Sequence, residues 1–170
     1  MKSIADIYFY NAMGLAAELK DGTVSEFRAL KHLIASIILG GIGFDVPVSV
    51  NLKEAASGFW HSIGYLAVFI ITGIISYYGV LLTYQVNSKG DGKDYFLRFS
   101  ALALPVGIQL VILFLGIGLL LVLLTAALTS QFGMSGAYFA EVGFYLATIA
   151  FTAMFFLRMR KYIGVAAGAE

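Results

Sequence analysis

The chain has 170 residues, 60% of them hydrophobic, and its formal net charge is +1. Soluble domains typically have ~45–50% apolar residues, so this composition is typical of a membrane protein, and the small net charge gives no strong basic field for binding nucleic acid. The chain has no cysteine, which excludes disulfide bonds, thiolate metal sites and a cysteine nucleophile.

Four apolar segments alternate with polar ones along the chain. They predict membrane spans at 29–48, 62–85, 100–129 and 137–157. Four crossings leave no room for a separate soluble catalytic domain, which usually needs roughly 50 residues or more. The sequence therefore predicts one membrane domain, an all-α integral membrane four-helix bundle with an amphipathic N-terminal interfacial helix.

Residues 3–20 have the pattern of that amphipathic helix, and the pattern ends near Gly22. Apolar residues recur near helical spacing, while charged residues occupy the other positions. One interpretation is a helix that lies flat on the cytoplasmic leaflet, with Tyr8, Phe9 and Tyr10 at the membrane interface. The alternative is a helix packed beneath the bundle, and the sequence leaves both open.

The first span is the weakest of the four. Thr23 and Glu26 form a capping box, which predicts a helix that begins at Val24. The uninterrupted apolar stretch at 33–44 has 12 residues, whereas ~20 are needed to cross a bilayer. A re-entrant or interfacial segment is therefore an alternative, although the charge distribution described below favours a crossing.

The second span carries a polar and small face that includes Thr72 and Ser76. Residues at these spacings lie on one side of a helix, and we expect this side to point into the bundle. The loop at 86–94 that follows is rich in turn-forming residues.

Three basic residues near this loop, Lys89, Lys93 and Arg98, are candidate contacts for anionic lipid headgroups. Such contacts contribute ~1 kcal/mol per charge. Retention of the loop in the cytoplasm during insertion is a simpler explanation for the same residues.

The third span has about 30 residues and would be roughly 45 Å long, well beyond the ~30 Å hydrocarbon core. We expect a kink at Pro105; alternatively, residues 100–104 lie along the interface. Gln109 is a deep polar residue in this span, either packing between helices or contacting a substrate.

The fourth span contains Glu141, the only acidic residue inside the second to fourth predicted spans. A carboxylate facing lipid is costly, so its side of the helix should face protein or water. It is either a proton or cation site or part of a buried hydrogen-bonded seam. The candidate intramembrane polar site consists of Glu141, Tyr145, Thr148, Thr152, Gln109, Thr72 and Ser76.

Residues 158–170 are predicted to form a cytoplasmic tail, disordered over 164–170 because its residues there are small.

Ten of the eleven lysine and arginine residues fall on one side of this four-span topology, and Lys53 falls on the other. Basic residues in short loops are retained in the cytoplasm, so the N-terminus, the 86–99 loop and the C-terminus are all predicted to be cytoplasmic. The ten residues are Lys2, Lys20, Arg28, Lys31, Lys89, Lys93, Arg98, Arg158, Arg160 and Lys161.

The residue inventory predicts no catalytic, cofactor or metal site. His32 and His61, the two histidines, fall at opposite membrane faces in this topology and cannot share a metal ion. No Gly-x-Ser-x-Gly motif is present, and no pair of intramembrane carboxylates or of histidine and aspartate suggests hydrolysis.

Two segments, YQVNSKGDGKDYFLRF at 84–99 and AELKDGTVSE at 17–26, resemble a group of small bacterial inner-membrane proteins of unassigned activity. The resemblance covers about 26 residues and implies a four-span layout in a bacterial inner membrane. It implies no activity.

These features predict a non-enzymatic integral membrane protein, a self-associating structural or accessory component of a membrane complex. Its expected partners are membrane lipids and either further copies of itself or another membrane protein. Glycines on the helix faces, at positions 40, 73, 116, 118 and 143, would allow close helix packing between or within chains. The alternative function is a small oligomeric channel or transporter with a polar path near Glu141 and Gln109.

Overall fold

The structure is a computed structural model that describes residues 7–44, 59–132 and 136–169, with side chains described at 7–39, 63–127, 130 and 142–169. These residues fold into helices without any strand, which confirms the all-α prediction. The helices are α1 (Ala12–Lys20), α2 (Glu26–Phe44), α3 (Phe59–Lys89), α4 (Tyr95–Phe132) and α5 (Gly136–Ala167).

Three of these helices are long and apolar enough to cross a membrane, over Ile63–Lys89, Tyr95–Ala127 and Val142–Ala167. They correspond to the predicted second, third and fourth spans. The first predicted span falls on α2, which has 19 residues and is not among these three. Residues 45–48 of that span lie outside the described residues.

The long helices pack in the order α2, α4, α5, α3. Within the described ranges, α2 and α3 at the two edges have no extensive contact with each other. The observed arrangement is thus an open row, and the closing contact of a four-helix bundle is not seen in the described part of the chain. The short helix α1 packs across α5 and α4.

Glycines let α3 approach α5 closely. A methyl group added at Gly79 would overlap the ring of Phe156, and one added at Gly64 would lie 2.8 Å from Cε2 of Tyr145. Each aromatic ring of α5 therefore occupies space that a larger residue on α3 would fill, and these two contacts fix how the helices are aligned.

The buried residues are concentrated at one end of the row. Every residue described as buried, except Gly79, lies within 7–32, 83–110 or 158–169. We call these three segments together the basal region. Its apolar core consists of Ala12, Leu15, Ala16, Leu19, Val24, Ala29, Tyr95, Ala101, Leu102, Val106, Leu110, Met159, Ile163 and Ala166.

Beyond the basal region, the long helices expose large apolar side chains outward. Phe69 on α3 is 75% exposed and Leu115 on α4 is 68% exposed. Lipid tails are as apolar as leucine, so a bilayer covers such surfaces without cost. The distribution of buried and exposed residues is that of a membrane protein with one compact end.

Pro105 lies inside α4, and the aromatic contacts on either side of it differ in their register against α5. The ring of Phe114 lies 5.2 Å from that of Phe151. Phe99 comes fifteen residues earlier on α4, so a straight antiparallel helix would place it beside the end of α5. Phe99 instead lies 6.4 Å from Phe155, only four residues beyond Phe151. Proline removes a helical hydrogen bond and favours a kink, so this difference in register agrees with the kink expected at Pro105.

The start of α2 differs from the prediction. The helix begins at Glu26, and Ser25 Oγ accepts a hydrogen bond from the Arg28 amide (3.3 Å). The Thr23 hydroxyl instead donates back to the carbonyl of Glu18 at the end of α1 (3.0 Å). The predicted capping box at Thr23 is therefore wrong, because that hydroxyl closes the turn after α1.

The helix predicted over 3–20 begins at Ala12, and residues 3–6 lie outside the described part of the chain. The apolar face of α1 is buried against α4 and α5. This packing corresponds to the second of the two alternatives, a helix beneath the row. Phe9, Tyr10 and Met13 remain exposed.

The predicted disorder over 164–170 is wrong for most of that segment, because α5 continues to Ala167. Met159, Ile163 and Ala166 are fully buried in the basal region. Their burial against α1 and α4 gives the end of α5 a packing role that a free tail would not have.

Three segments that were predicted to share one side of the membrane meet at the basal region. The amide of Asp91 in the α3–α4 turn donates to the carbonyl of Ala167 at the end of α5 (2.9 Å). Gln109 Nε2 donates to the carbonyl of Tyr10 in the N-terminal segment (2.6 Å). The N-terminal segment, the turn and the end of α5 therefore lie at the same end of the molecule.

Candidate functional site

The polar side chains of the basal region form three clusters, and the first surrounds Arg98. Its guanidinium, only 4% exposed, donates from Nη1 and Nη2 to the two carboxylate oxygens of Asp91 at 2.5 and 2.6 Å. Nη1 also donates to Asn87 Oδ1 (2.8 Å) and to the Lys93 carbonyl (2.9 Å). The hydrogen bonds from Arg98 lower the pKa of the Asp91 carboxyl to about 2.

The backbone of the α3–α4 turn makes this cluster possible. Gly92 has a φ of +67° and Asp94 has a φ of +49°, which reverse the chain within a few residues. A methyl group at Gly90 would overlap the backbone of Ala167, so only glycine lets the end of α5 sit against the turn. Arg98 thus stabilises the α3–α4 turn, and the backbone of that turn contacts the end of α5.

The second cluster joins the N-terminal segment, α1 and α2. Glu18 accepts hydrogen bonds from the Tyr8 hydroxyl (2.7 Å) and from Arg28 Nη1 (2.6 Å). The guanidinium carbon of Arg28 lies 5.1 Å from the centre of the Tyr8 ring. The hydrogen bond to the Glu18 carboxylate raises the pKa of the Tyr8 hydroxyl. The three side chains connect segments that lie apart in the sequence.

His32 extends this cluster and is fully buried. The Tyr8 amide donates to its Nε2 (3.0 Å), and its Nδ1 lies 2.8 Å from the Arg28 carbonyl. An amide can only donate and a carbonyl can only accept, so the proton is on Nδ1 and the ring is neutral. Because both ring nitrogens are occupied, His32 holds the N-terminal segment and is not available as a base or a metal ligand.

The third cluster centres on Gln109. Its Oε1 accepts from Arg158 Nη1 (3.0 Å) and lies 3.4 Å from the Tyr162 hydroxyl, which donates to it, while its Nε2 donates to the Tyr10 carbonyl. Arginine can only donate and a carbonyl can only accept, which fixes the orientation of the amide. Gln109 thus connects α4, α5 and the N-terminal segment, the packing role that the sequence offered as one alternative.

The predicted polar residues on the spans do not converge on a common site within the described part of the chain. The hydroxyls of Thr72, Thr148 and Thr152 donate to carbonyls of their own helices at 2.8–3.0 Å. Tyr145 packs against Gly64, and its ring lies 5.3 Å from that of Tyr65. Ser76 is half-buried in α3.

Glu141 lies on α5, but its side chain is outside the described residues. Gln109 belongs to the basal region and contacts Arg158, not the hydroxyls of α3. The channel or transporter alternative therefore remains a prediction that depends on Glu141.

Of the three predicted headgroup contacts, Lys89 and Lys93 are exposed, whereas Arg98 is buried. Arg98 uses its donors on Asp91, Asn87 and a backbone carbonyl, which leaves little of its surface for a lipid. The prediction of headgroup contact now rests on Lys89 and Lys93.

Sequence reasoning missed the partners in these clusters. In the sequence, Asn87 and Asp91 belong to a turn-rich loop and Glu18 to the charged positions of the 3–20 helix, and neither pattern predicts a contact with an arginine. The available signal was the acidic residue in a glycine-rich turn a short distance before an arginine. The described residues contain no group of three or more histidine, aspartate or glutamate side chains placed to hold a metal ion.

Comparison of the chain with family models, with curated protein sequences and with solved structures finds no match. Function must therefore be inferred from the chemistry of the described residues. The clusters contain ion pairs, amides and a neutral histidine whose hydrogen bonds connect helices, and this arrangement stabilises a fold.

Proposed function

We propose that this chain is a non-enzymatic membrane component with four spans, which assembles with further copies of itself or with another membrane protein. The observation that carries the proposal is the confinement of all described buried residues except Gly79 to the basal region, while three long helices present apolar side chains outward. Such helices need a covering of lipid or of other apolar helices.

The path of the chain supports a crossing by α2, the first predicted span, in addition to those of α3, α4 and α5. The helix α2 begins in the basal region, where Arg28 contacts Glu18. The helix α3 ends at that region and therefore begins at the opposite end of the row. Between the start of α2 and the start of α3, the chain must therefore pass from one end of the row to the other. The 19 residues of α2 span about 28 Å, close to the ~30 Å thickness of the hydrocarbon core.

The distribution of charge supports cytoplasmic placement of the basal region. All the lysine and arginine residues within the described ranges belong to this region or to its exposed turn, as the retention of basic segments in the cytoplasm requires. The resemblance at 84–99 and 17–26 supports a bacterial inner membrane.

Open glycine surfaces support self-association. Gly73 on α3 and Gly116 and Gly118 on α4 have no atom within 4 Å of the position that a Cβ would occupy. Glycines at such positions allow backbones of neighbouring helices to approach closely. Gly143 differs, because it already faces Leu121 at 3.7 Å.

The test is the mass of the complex extracted from membranes without detergent, with any co-purifying protein identified. We expect a mass of two or more chains, or of one chain with a partner protein. A single chain that carries only lipid contradicts the assembly proposal.

A pair of matched variants then locates the contact. The double substitution Gly116→Ile and Gly118→Ile adds bulk to an open surface of α4, and we expect it to reduce the assembled fraction. Leu119→Ile, at an exposed position on the same helix, changes side-chain shape without adding volume and should leave the assembly unchanged. An equal assembled fraction in the two variants would show that the contact between chains does not involve this surface of α4.

A further inference from the structure

The three arginines that are at least partly buried differ in how their charge is balanced. Arg28 lies 2.6 Å from the carboxylate of Glu18, and Arg98 lies 2.5 Å from that of Asp91. Arg158 is also half-buried, yet within the described ranges its guanidinium contacts the neutral amide of Gln109 and no carboxylate. Charges withdrawn from water are normally paired, so the position of Arg158 calls for an anion.

The site of Arg158 along α5 indicates which anion is available. Arg158 follows the apolar segment of α5 that ends at Leu157 and is the first of three basic residues, with Arg160 and Lys161 exposed after it. On α4, the neighbouring Gln109 lies where the outward apolar surface begins. In a bilayer this level of the helices meets the headgroups.

We propose that Arg158, oriented by Gln109, binds the phosphate of an anionic phospholipid headgroup between α4, α5 and the N-terminal segment. The proposal rests on the membrane placement of the proposed function but not on self-association. It assigns a lipid site to residues other than the exposed lysines of the α3–α4 turn.

The donors around Arg158 suit a phosphate. One Nη1 proton is used on Gln109 Oε1, and a guanidinium carries five N–H donors. The remaining ones match the oxygens of a phosphate, which arginine binds in a bidentate manner. The amide of Gln109 holds the guanidinium plane in place because its other end is anchored on the Tyr10 carbonyl.

The experiment uses the purified full chain with added lipid, and native mass spectrometry counts the lipid molecules that each chain retains. Phosphatidylglycerol is compared with phosphatidylcholine, whose own cation offsets its phosphate. We expect phosphatidylglycerol to be retained more tightly. Equal retention of the two lipids contradicts the proposal.

Arg158→Gln and Arg160→Gln are the matched variants, because each removes one charge from the same turn of α5. Removal of one basic side chain near an anionic lipid surface weakens lipid binding about fivefold through long-range charge alone. Arg160→Gln measures this non-specific effect. We expect Arg158→Gln to weaken the retention of phosphatidylglycerol about tenfold beyond that control, since hydrogen bonds to a charged group are also lost. Equal losses in the two variants overturn the assignment.

Gln109→Glu provides a second variant that retains Arg158. The new carboxylate would lie beside the guanidinium and neutralise it within the chain, so we expect the tight phosphatidylglycerol binding to disappear. Unchanged binding in this variant contradicts the site.

A further arm adds inorganic phosphate to the wild-type complex. We expect it not to displace the lipid, and displacement would reassign the site to a soluble anion and overturn the lipid proposal. A single chain that still retains the lipid supports this site while contradicting self-association, so the two proposals fail separately.

Discussion

Single polar side chains connect the segments of the basal region, and Arg98 is the most deeply buried of the described arginines. Its buried guanidinium is balanced by Asp91, which is itself 37% exposed. Removing one partner of a buried ion pair leaves an unpaired charge and is strongly destabilising. The exposure of Asp91 to solvent reduces that penalty, because water can partly replace the carboxylate.

Replacement of this carboxylate by an amide tests the pair. We expect Asp91→Asn to lower the free energy of unfolding by about 1–2 kcal/mol, after allowing for solvent screening. The control is Asp94→Asn in the same turn, since asparagine also tolerates the positive φ of that residue. Thermal unfolding of the purified chain measures both variants, and equal stability would show that Asp91 does not support Arg98.

The same pair predicts a dependence of stability on pH. Arg98 lowers the pKa of Asp91 from 3.8 to about 2 in the folded chain. A lowered acid pKa means that the stabilisation is fully present above about pH 4 and is lost as the pH falls toward 2. Unfolding followed over this range should show a loss in the wild type that is smaller in Asp91→Asn. The same loss of stability with falling pH in both proteins would show that Asp91 is not its cause.

The sequence alone could not place Arg98 correctly. A basic residue beside a loop normally indicates cytoplasmic retention or contact with lipid. Its burial depends on a turn in which Asp94, a residue other than glycine, adopts a positive φ, and on the arrival of Ala167 from the end of the chain. These are tertiary constraints without a local pattern.

At the scale of helices, the packing of α3 on α5 depends on which glycines face the partner helix. Gly79 is buried beneath Phe156, whereas Gly73 on the same helix faces open space. Both residues look alike in the sequence, and either could have been the packing glycine.

This difference predicts opposite effects of the same substitution. Gly79→Ala forces the base of the Phe156 ring away, and we expect a loss of about 1–3 kcal/mol of stability. Gly73→Ala meets no neighbour within the chain and removes a flexible residue from a helix, so the stability of the single chain should stay equal or rise by up to about 1 kcal/mol. Denaturation of the two variants under identical conditions compares them directly, and a reversed order would refute the α3–α5 alignment.

The predicted spans at 62–85, 100–129 and 137–157 all fall inside observed helices, because long apolar runs specify helices in a membrane. The helix ends were harder to predict. The basic residues after 157 resembled the stop of a span, and the spacing of Met159, Ile163 and Ala166 at i, i+4 and i+7 was the overlooked sign of a continuing amphipathic helix.

At the scale of the whole molecule, two kinds of packing share one chain. The basal region has a buried core and satisfied polar groups like a soluble domain. The rest of α3, α4 and α5 presents apolar surface outward. Hydrogen bonds connect the N-terminal segment, the α3–α4 turn and the end of α5, so the basal region forms only when these three distant segments come together.

The orientation of this molecule in the bilayer is open to a direct test, because the natural chain has no cysteine. Single substitutions Lys20→Cys, Lys93→Cys and Ala169→Cys place thiols at exposed positions of the basal region, and Lys53→Cys places one between α2 and α3. In intact cells, an impermeant thiol reagent should modify only the cysteine at 53, and lysis should expose the other three.

Two outcomes would contradict this orientation. Modification of the cysteines at 20 and 53 from the same side would show that α2 does not cross the membrane. Modification of 93 and 169 from opposite sides would contradict the fold itself, because the hydrogen bond between Asp91 and Ala167 requires both segments at one end.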